Sequence, residues 1–272
     1  MFSEPDKMIA SHYDANYGNF QTSLYQEIRR EAFGEDIGQN SWLTSDEQDK
    51  FLGWLGLGGG ESLLDVACGA GGPTLRIAAV IGCMVTGVDV HEQAIATARS
   101  LANQRGLENR ANFRVVDANE PLPFLEASFG AILCIDAINH MSGRPSVLAD
   151  WTRLLKPGGR LLFTDPIVVT GPLTREEIAI RSSAGFCLFV PCGYNEQIIE
   201  QCGLRLVVSE DRTSNMADIA ERRKNARASR SSDLRRIESD TVYERQQKFL
   251  AVAAQLARDA KLSRFVYVAA KT

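Results

Sequence analysis

Long apolar runs are missing from this sequence: no stretch approaches the roughly 18 residues that a spanning helix needs, and the opening MFSEPDK is polar and charged. Neither secretion nor a membrane span is therefore expected. An excess of one charge is missing too. With 34 acidic and 30 basic residues the net charge is -4, which argues against a general nucleic-acid binder. The six cysteines, Cys68, Cys83, Cys134, Cys187, Cys192 and Cys202, form no CxxC pair, and no histidine stands near Cys187 and Cys192 to complete a metal motif. They read as small buried hydrophobes in a reducing compartment, so a cytoplasmic protein without a metal site is expected. Histidine is scarce, with only His12, His91 and His140. A nucleotide-hydrolysing loop is also lacking, since Gly-Pro-Thr stands at 72–74 where Gly-Lys-Ser/Thr would be needed. The dinucleotide fingerprint GxGxxG fails as well, because its third glycine position is Thr74.

What is present is an alternation of strand-like and helix-like runs from Ser62 onward. SLLDVA, MVTGVDV, ANFRVVD, FGAILCID, RLLFTD, LRLVVSED and SRFVYVAAK read as strands. PTLRIAAVIG, EQAIATARSLANQRG, PSVLADWTRLL and EQIIEQCG read as helices between them. Buried aliphatic strands separated by helices predict an α/β fold with a mostly parallel sheet covered on both faces. Ahead of it, helices are predicted from Ser23 to Phe33 and after Thr44, where acids open the first turn. Residues 166–193 form a long connection and 213–258 an arginine-rich stretch at helical spacing. With the N-terminal helices of 1–56, these two insertions into a core of 57–272 are expected to form a lid.

The stretch LLDVACGAGGPTLRIA joins a strand, a bare glycine turn and a helix end. Gly69 and Gly71 let the backbone pass close beneath a ligand, and Pro73 suits a first helical turn. Asp65 ends the first strand. Asp89 ends the second, at the distance suited to holding two ribose hydroxyls. Asp117 ends the third, where it can accept from an adenine amino group. Each acid alone is also a common solvated strand end; their order with the glycine turn favours an adenosine-bearing ligand.

DVACGAGG, VTGVDV, VVDANEPLPFLEASFGAIL and LLKPGGRLLFTD, in that order, resemble the signature of class I S-adenosylmethionine-dependent methyltransferases, over about residues 60–210. The resemblance implies a Rossmann-like seven-stranded sheet, order 3-2-1-4-5-7-6 with the last strand antiparallel. It also implies S-adenosylmethionine as cofactor and S-adenosylhomocysteine as product. By position, Gly69 and Gly71 would shape the cofactor loop, Asp89 hold ribose, Asp117 with Ala118 face adenine, and Val90 pack on the ring. Acids near the loop, Asp65 among them, suit a ligand with a positive sulfonium.

His140, in CIDAINHM after the fourth strand, lies where ligands bind in open α/β sheets, and an imidazole there can take a proton. Asp136, four residues earlier, would share its side if the segment turned helically. Asp165 ends the fifth strand on the same edge. More narrowly, FGEDIGQNSW, DAINH and LLFTD resemble phosphoethanolamine, sarcosine/dimethylglycine and sugar O-methyltransferase-like enzymes. That resemblance implies transfer of a methyl group to nitrogen or oxygen of a small molecule, with His140 as base, Asp136 and Asp165 orienting it, and an N-terminal tyrosine closing the site. Tyr17, Tyr13 and Tyr25 are all open for that part. Trp42 would cover the methionine end, and Phe186 and Phe189 would line the substrate side or pack the lid. Methylation of carbon, and RNA binding through ERRKNARASR at 221–230, are the rival readings. The acceptor and the choice between monomer and homodimer stay open.

Overall fold

In the computed structural model of the chain, residues 17–183 and 185–272 are described. Tyr13, a candidate for closing the site, and His12 lie outside these residues. Eight strands form one sheet: β1 (Ser62–Val66), β2 (Met84–Asp89), β3 (Ala111–Val115), β4 (Phe129–Cys134), β5 (Leu155–Val169), β6 (Val190–Pro191), β7 (Leu204–Asp211) and β8 (Leu262–Lys271). Their order is β3-β2-β1-β4-β5-β8-β7, with β6 paired to β5 off this path. β8 runs antiparallel to both β5 and β7. This is the predicted 3-2-1-4-5-7-6 order; only the two-residue β6 is additional.

The reason for the near-continuous apolar strands is visible at β1. Leu63 packs into a core with Leu75, Phe113 and Leu133 on one face. Leu64, its neighbour, joins Trp151, Phe163 and Tyr267 on the other. Successive side chains point to opposite faces, so a sheet covered twice needs both positions apolar. The parallel strands β1, β2, β3, β4 and β5 bring their C-terminal ends to one edge, and Asp65, Asp89, Asp117 and Asp136 stand at or just past those ends.

Over that edge lies a second, helical layer. The helix Ser23–Phe33 starts on Thr22, whose hydroxyl accepts the Tyr25 N–H, and stops at Gly34. The helix Ser45–Leu55 starts on Thr44, with Asp46 and Glu47 in its first turn as predicted. The arginine-rich 213–258 stretch is three helices, Thr213–Ala228, Ser231–Glu238 and Asp240–Arg258. Phe33, Trp42, Ile219 and Leu250 build a small core between the N-terminal segment and two of them.

Two segments differ from expectation. β5 does not break at Lys156-Pro157-Gly158-Gly159, and it runs past Asp165 to Val169. The ten-residue β8 supplies partners for the extension, Val168 opposite Ser263 and Val169 opposite Leu262, with a bulge between Asp165 and Val168. The 166–193 connection is accordingly shorter. It holds the helix Arg175–Arg181, opened by a capping box of Thr174 and Glu177.

Candidate active site

A cavity of about 670 Å³ opens at the strand-end edge. One end is built on the glycine turn. Asp65 leaves the core at the end of β1, its Oδ2 accepting the Thr74 hydroxyl at 2.5 Å. Burial raises its pKa to about 7; the Thr74 bond works the other way, and nearby Asp89 adds to the rise. Gly71, with φ 75°, caps the helix Gly72–Ile81. A Cβ on Gly71 would stand 2.7 Å from the Ala98 Cβ and 2.9 Å from the Phe113 ring, and one on Gly72 would stand 2.3 Å from the Ile37 carbonyl. The turn is therefore clasped from both sides by packing that admits no side chain.

Asp89 ends β2 with both oxygens directed by backbone. Oδ2 accepts the Gly69 N–H and Oδ1 the His91 N–H, each at 2.9 Å. Burial raises its pKa and these bonds oppose the rise. One acceptor site per oxygen remains for a vicinal diol. Val90, next to it, is 65% exposed at the cavity wall, an apolar platform without protein cover. Asp117 and Ala118 line the same wall. Asp117 Oδ1 accepts from the backbone and side chain of Asn119.

At the other end stand Asp136, His140 and Phe186. His140 closes a short 3-10 turn, Ile138–His140. Its Nδ1 lies 2.7 Å from the Phe186 carbonyl oxygen. A carbonyl only accepts, so Nδ1 carries the proton and Nε2 keeps a lone pair. Burial pulls the imidazole pKa below its ordinary value, with the Phe186 bond opposing and the Arg181 charge assisting. Asp136 is not related to it by a helical turn, because Asp136 has a left-handed backbone with φ 53°. Both oxygens of its carboxylate are instead held by other partners. Oδ1 accepts from Thr164 and from Arg264 Nε, both at 2.7 Å, and Oδ2 accepts the Trp42 N–H at 2.9 Å. Arg264 in turn spans to Glu47, which also receives Arg212.

Of the residues singled out in the sequence, the cavity brings together Asp65, Gly69, Asp89, Val90, Asp117, Ala118, Asp136, His140, Tyr17 and Phe186. Tyr17 sits at the glycine turn, its ring 5.0 Å from that of His91 and packed with Phe20, Ala70 and Ala94. Gly71 lies behind the wall and acts through packing. Trp42 does not cover this cavity; it stacks on Phe249 at 6.4 Å and lines a smaller recess beside it. Asp165 does not face the site at all. It is fully buried, held by Arg144 Nη1 at 2.6 Å and Asn195 Nδ2 at 2.9 Å, because the extension of β5 carries it into the core. Tyr25 is likewise elsewhere: its hydroxyl donates to Glu238, which is paired with Arg227 inside the helical layer. Phe189 packs with Ile167, Leu256 and Leu262.

Part of the basic stripe at 221–230 is taken up within the helical layer. Arg227 is spent on Glu238, Arg230 on Glu27 and Glu31, and Arg223 turns inward. Among the described residues, no three His, Cys, Asp or Glu side chains are grouped to hold a metal ion, and no helix is long and apolar enough to cross a membrane. Sequence reasoning missed Thr164, Glu47, Arg264, Arg181 and Arg223. Only Arg264 left a trace, as a lone charge within the apolar run SRFVYVAA.

Residues 63–159, which span the glycine turn and the strands from β1 into β5, match a family described as a methyltransferase domain. The sheet order around this match is that of the class I methyltransferase fold. Over 166 residues the chain is 31% identical to 27-O-demethylrifamycin SV methyltransferase of Amycolatopsis mediterranei, covering 58% of this chain and 61% of that one. Over 163 residues it is 35% identical to methyltransferase GfsG of Streptomyces halstedii, covering 58% and 57%. The match thus spans less than two thirds of either relative. Among solved structures, the cyclopropane synthase MmaA2 of Mycobacterium tuberculosis shares the fold with a TM-score of 0.82 at 21% identity, over 97% of this chain and 98% of that one.

Proposed function

We propose that the protein transfers a methyl group from S-adenosylmethionine to a nitrogen or oxygen of a small-molecule metabolite, with His140 as general base. The observation that carries this reading is the Phe186 carbonyl on His140 Nδ1, at 2.7 Å. It fixes the tautomer with a basic Nε2 in a chamber whose far end fits an adenosine. There, Asp89 suits the ribose hydroxyls, Val90 and Ala118 an aromatic ring, and the side-chain-free turn a closely laid ligand. The cofactor, when bound, supplies the electrophilic methyl group. The chain's own work is to align the acceptor, shed water and accept the proton it loses. The name of the Amycolatopsis mediterranei relative, 27-O-demethylrifamycin SV methyltransferase, supports oxygen among the acceptor atoms.

The helices of 23–55 and 213–258, packed over the strand-end edge, are proposed as the lid that excludes water. Tyr17, beside Gly69, is proposed to close the cofactor end rather than to act on the acceptor. The six free cysteines favour a reducing compartment such as the cytoplasm.

Calorimetry with S-adenosylhomocysteine tests the reading at its base. The wild type is expected to bind, and Asp89→Ala to bind about 10- to 100-fold more weakly, the loss of charge-assisted hydrogen bonds to the ribose. A folded wild type that takes up neither this product nor S-adenosylmethionine ends the proposal. The affinity should also depend on pH. Below about 7 the Asp65 carboxyl is protonated, and above it the ionised form attracts the ligand's ammonium group. Binding of S-adenosylhomocysteine is therefore expected to tighten as pH rises through 7, and Asp65→Asn to flatten that rise. A rise that persists in D65N would assign it to another group.

A further inference from the structure

Next to the large cavity lies a recess of about 110 Å³. It shares Asn40, Ser41, Asp136 and His140 with the cavity, so it adjoins the reacting end. Two arginines line it, Arg181 and Arg223. Arg181 is 5% exposed and its guanidinium carbon stands 4.7 Å from the centre of the Phe249 ring. Arg223 lies between rings, 5.5 Å from Trp42 and 5.8 Å from Phe33, with only long contacts to Asn40, at 3.4 Å to the carbonyl and 3.5 Å to the side-chain oxygen.

What sets these two apart is the absence of a salt bridge. Arg223 is half-buried; Arg181 is buried, and the other buried arginines are matched: Arg29 with Asp36, Arg144 with Asp165, Arg227 with Glu238, and Arg264 with Glu47 and Asp136. Among the described residues, no carboxylate forms a salt bridge with Arg181 or Arg223. Among the described residues Asp136 is the one acid lining the recess; its charge favours the Arg181 cation without a salt bridge, and Arg264, Thr164 and the Trp42 N–H hold its carboxylate in place. Withdrawal from water pulls the Arg181 pKa down and pushes that of Arg223 down to about 10, with Arg227 and Arg29 adding to the latter. A buried cation left unmatched is costly, and a guanidinium fork is shaped for a carboxylate or phosphate.

We propose that this recess holds the oxyanion end of the methyl acceptor, so that the substrate is a carboxylate- or phosphate-bearing small molecule anchored on Arg181 and Arg223 with its nucleophile at His140. This rests on the methyl-transfer reading above. Aromatic rings on both arginines hold their planes and keep competing water away. The anchor fixes one end of the acceptor, which is how a site converts binding into alignment at the other.

The test uses the full chain saturated with S-adenosylhomocysteine and titrated at low ionic strength with inorganic phosphate and, separately, acetate. Saturable uptake of one or both is expected. Phosphate alone would point to a phosphate-bearing acceptor, and acetate uptake to a carboxylate. Arg181→Met and Arg223→Gln are each expected to weaken the anion by roughly 10- to 100-fold, the loss of a charge-assisted pair, with S-adenosylhomocysteine affinity unchanged. Should R181M fail to fold, Arg181→Lys keeps the charge and loses the fork, and is expected to weaken the anion less than R223Q does. Protein that binds S-adenosylhomocysteine but neither anion overturns this inference and leaves methyl transfer standing. So do folded variants with wild-type anion affinity, R181K and R223Q included. Failure to bind S-adenosylhomocysteine removes both.

Discussion

Glutamine at position 140 is expected to lower kcat by about 10²- to 10⁴-fold, the range general-base catalysis supplies, without changing the affinity for S-adenosylhomocysteine. The side chain still fills the turn and can still donate to the Phe186 carbonyl, but it has no basic lone pair to take a proton. The pH profile gives a sharper signature. Burial and the Arg181 charge disfavour the imidazolium, against the Phe186 bond and Asp165, so the net shift is downward. The neutral, working form is then retained to lower pH than for a free imidazole, whose pKa is about 6.5. In the wild type, kcat/KM should therefore fall on an acid limb placed below about 6.5, and that limb should vanish in His140→Gln. Wild-type turnover in H140Q would move the proton acceptor elsewhere.

Asp165→Ala is expected to destabilise the fold by roughly 3–5 kcal/mol, the penalty for leaving one member of a buried ion pair uncompensated. Arg144 would remain fully enclosed with only Asn195 and two long carbonyl contacts, its Nε already without a partner. Urea unfolding measures this directly. A residue that bound the acceptor would behave differently, raising KM at unchanged stability. Because the fault lies in the unmatched cation, a second change, Arg144→Met, should restore part of what D165A loses. Additive losses in the double variant would contradict the pairing.

These two residues show where the sequence was legible and where it was not. Both are polar side chains near the C-terminal end of a core strand, and in the sequence they look alike. His140 faces the cavity because β4 ends and a 3-10 turn follows at once. Asp165 faces the core because β5 continues for four more residues, a fact decided by the length of β8 a hundred residues later. Tyr25 was unreadable for the same reason: its partner, Glu238, is 213 positions away. The glycine turn, Asp89 and the strand order were legible because each is set by neighbours a few residues distant or by a period-two run of apolar side chains. Arg181 and Arg223 gave no signal, since an arginine on an amphipathic helix is ordinarily a solvated one. Only the packing of the helical layer turns them inward.

The clamp on Asp136 has a further consequence. Its ties reach Trp42 near one end of the described chain and Arg264 in the final strand, and Arg264 continues to Glu47 across 217 positions. Such distant partners must close a long loop before either is rewarded, which places this step late in folding. A growing polypeptide would thus hold its nucleotide-type pocket well before the acceptor side takes shape. Competence to react arrives only when the last strand brings Arg264 home, so Arg264→Ala should leave a protein that grips its donor and does little with it.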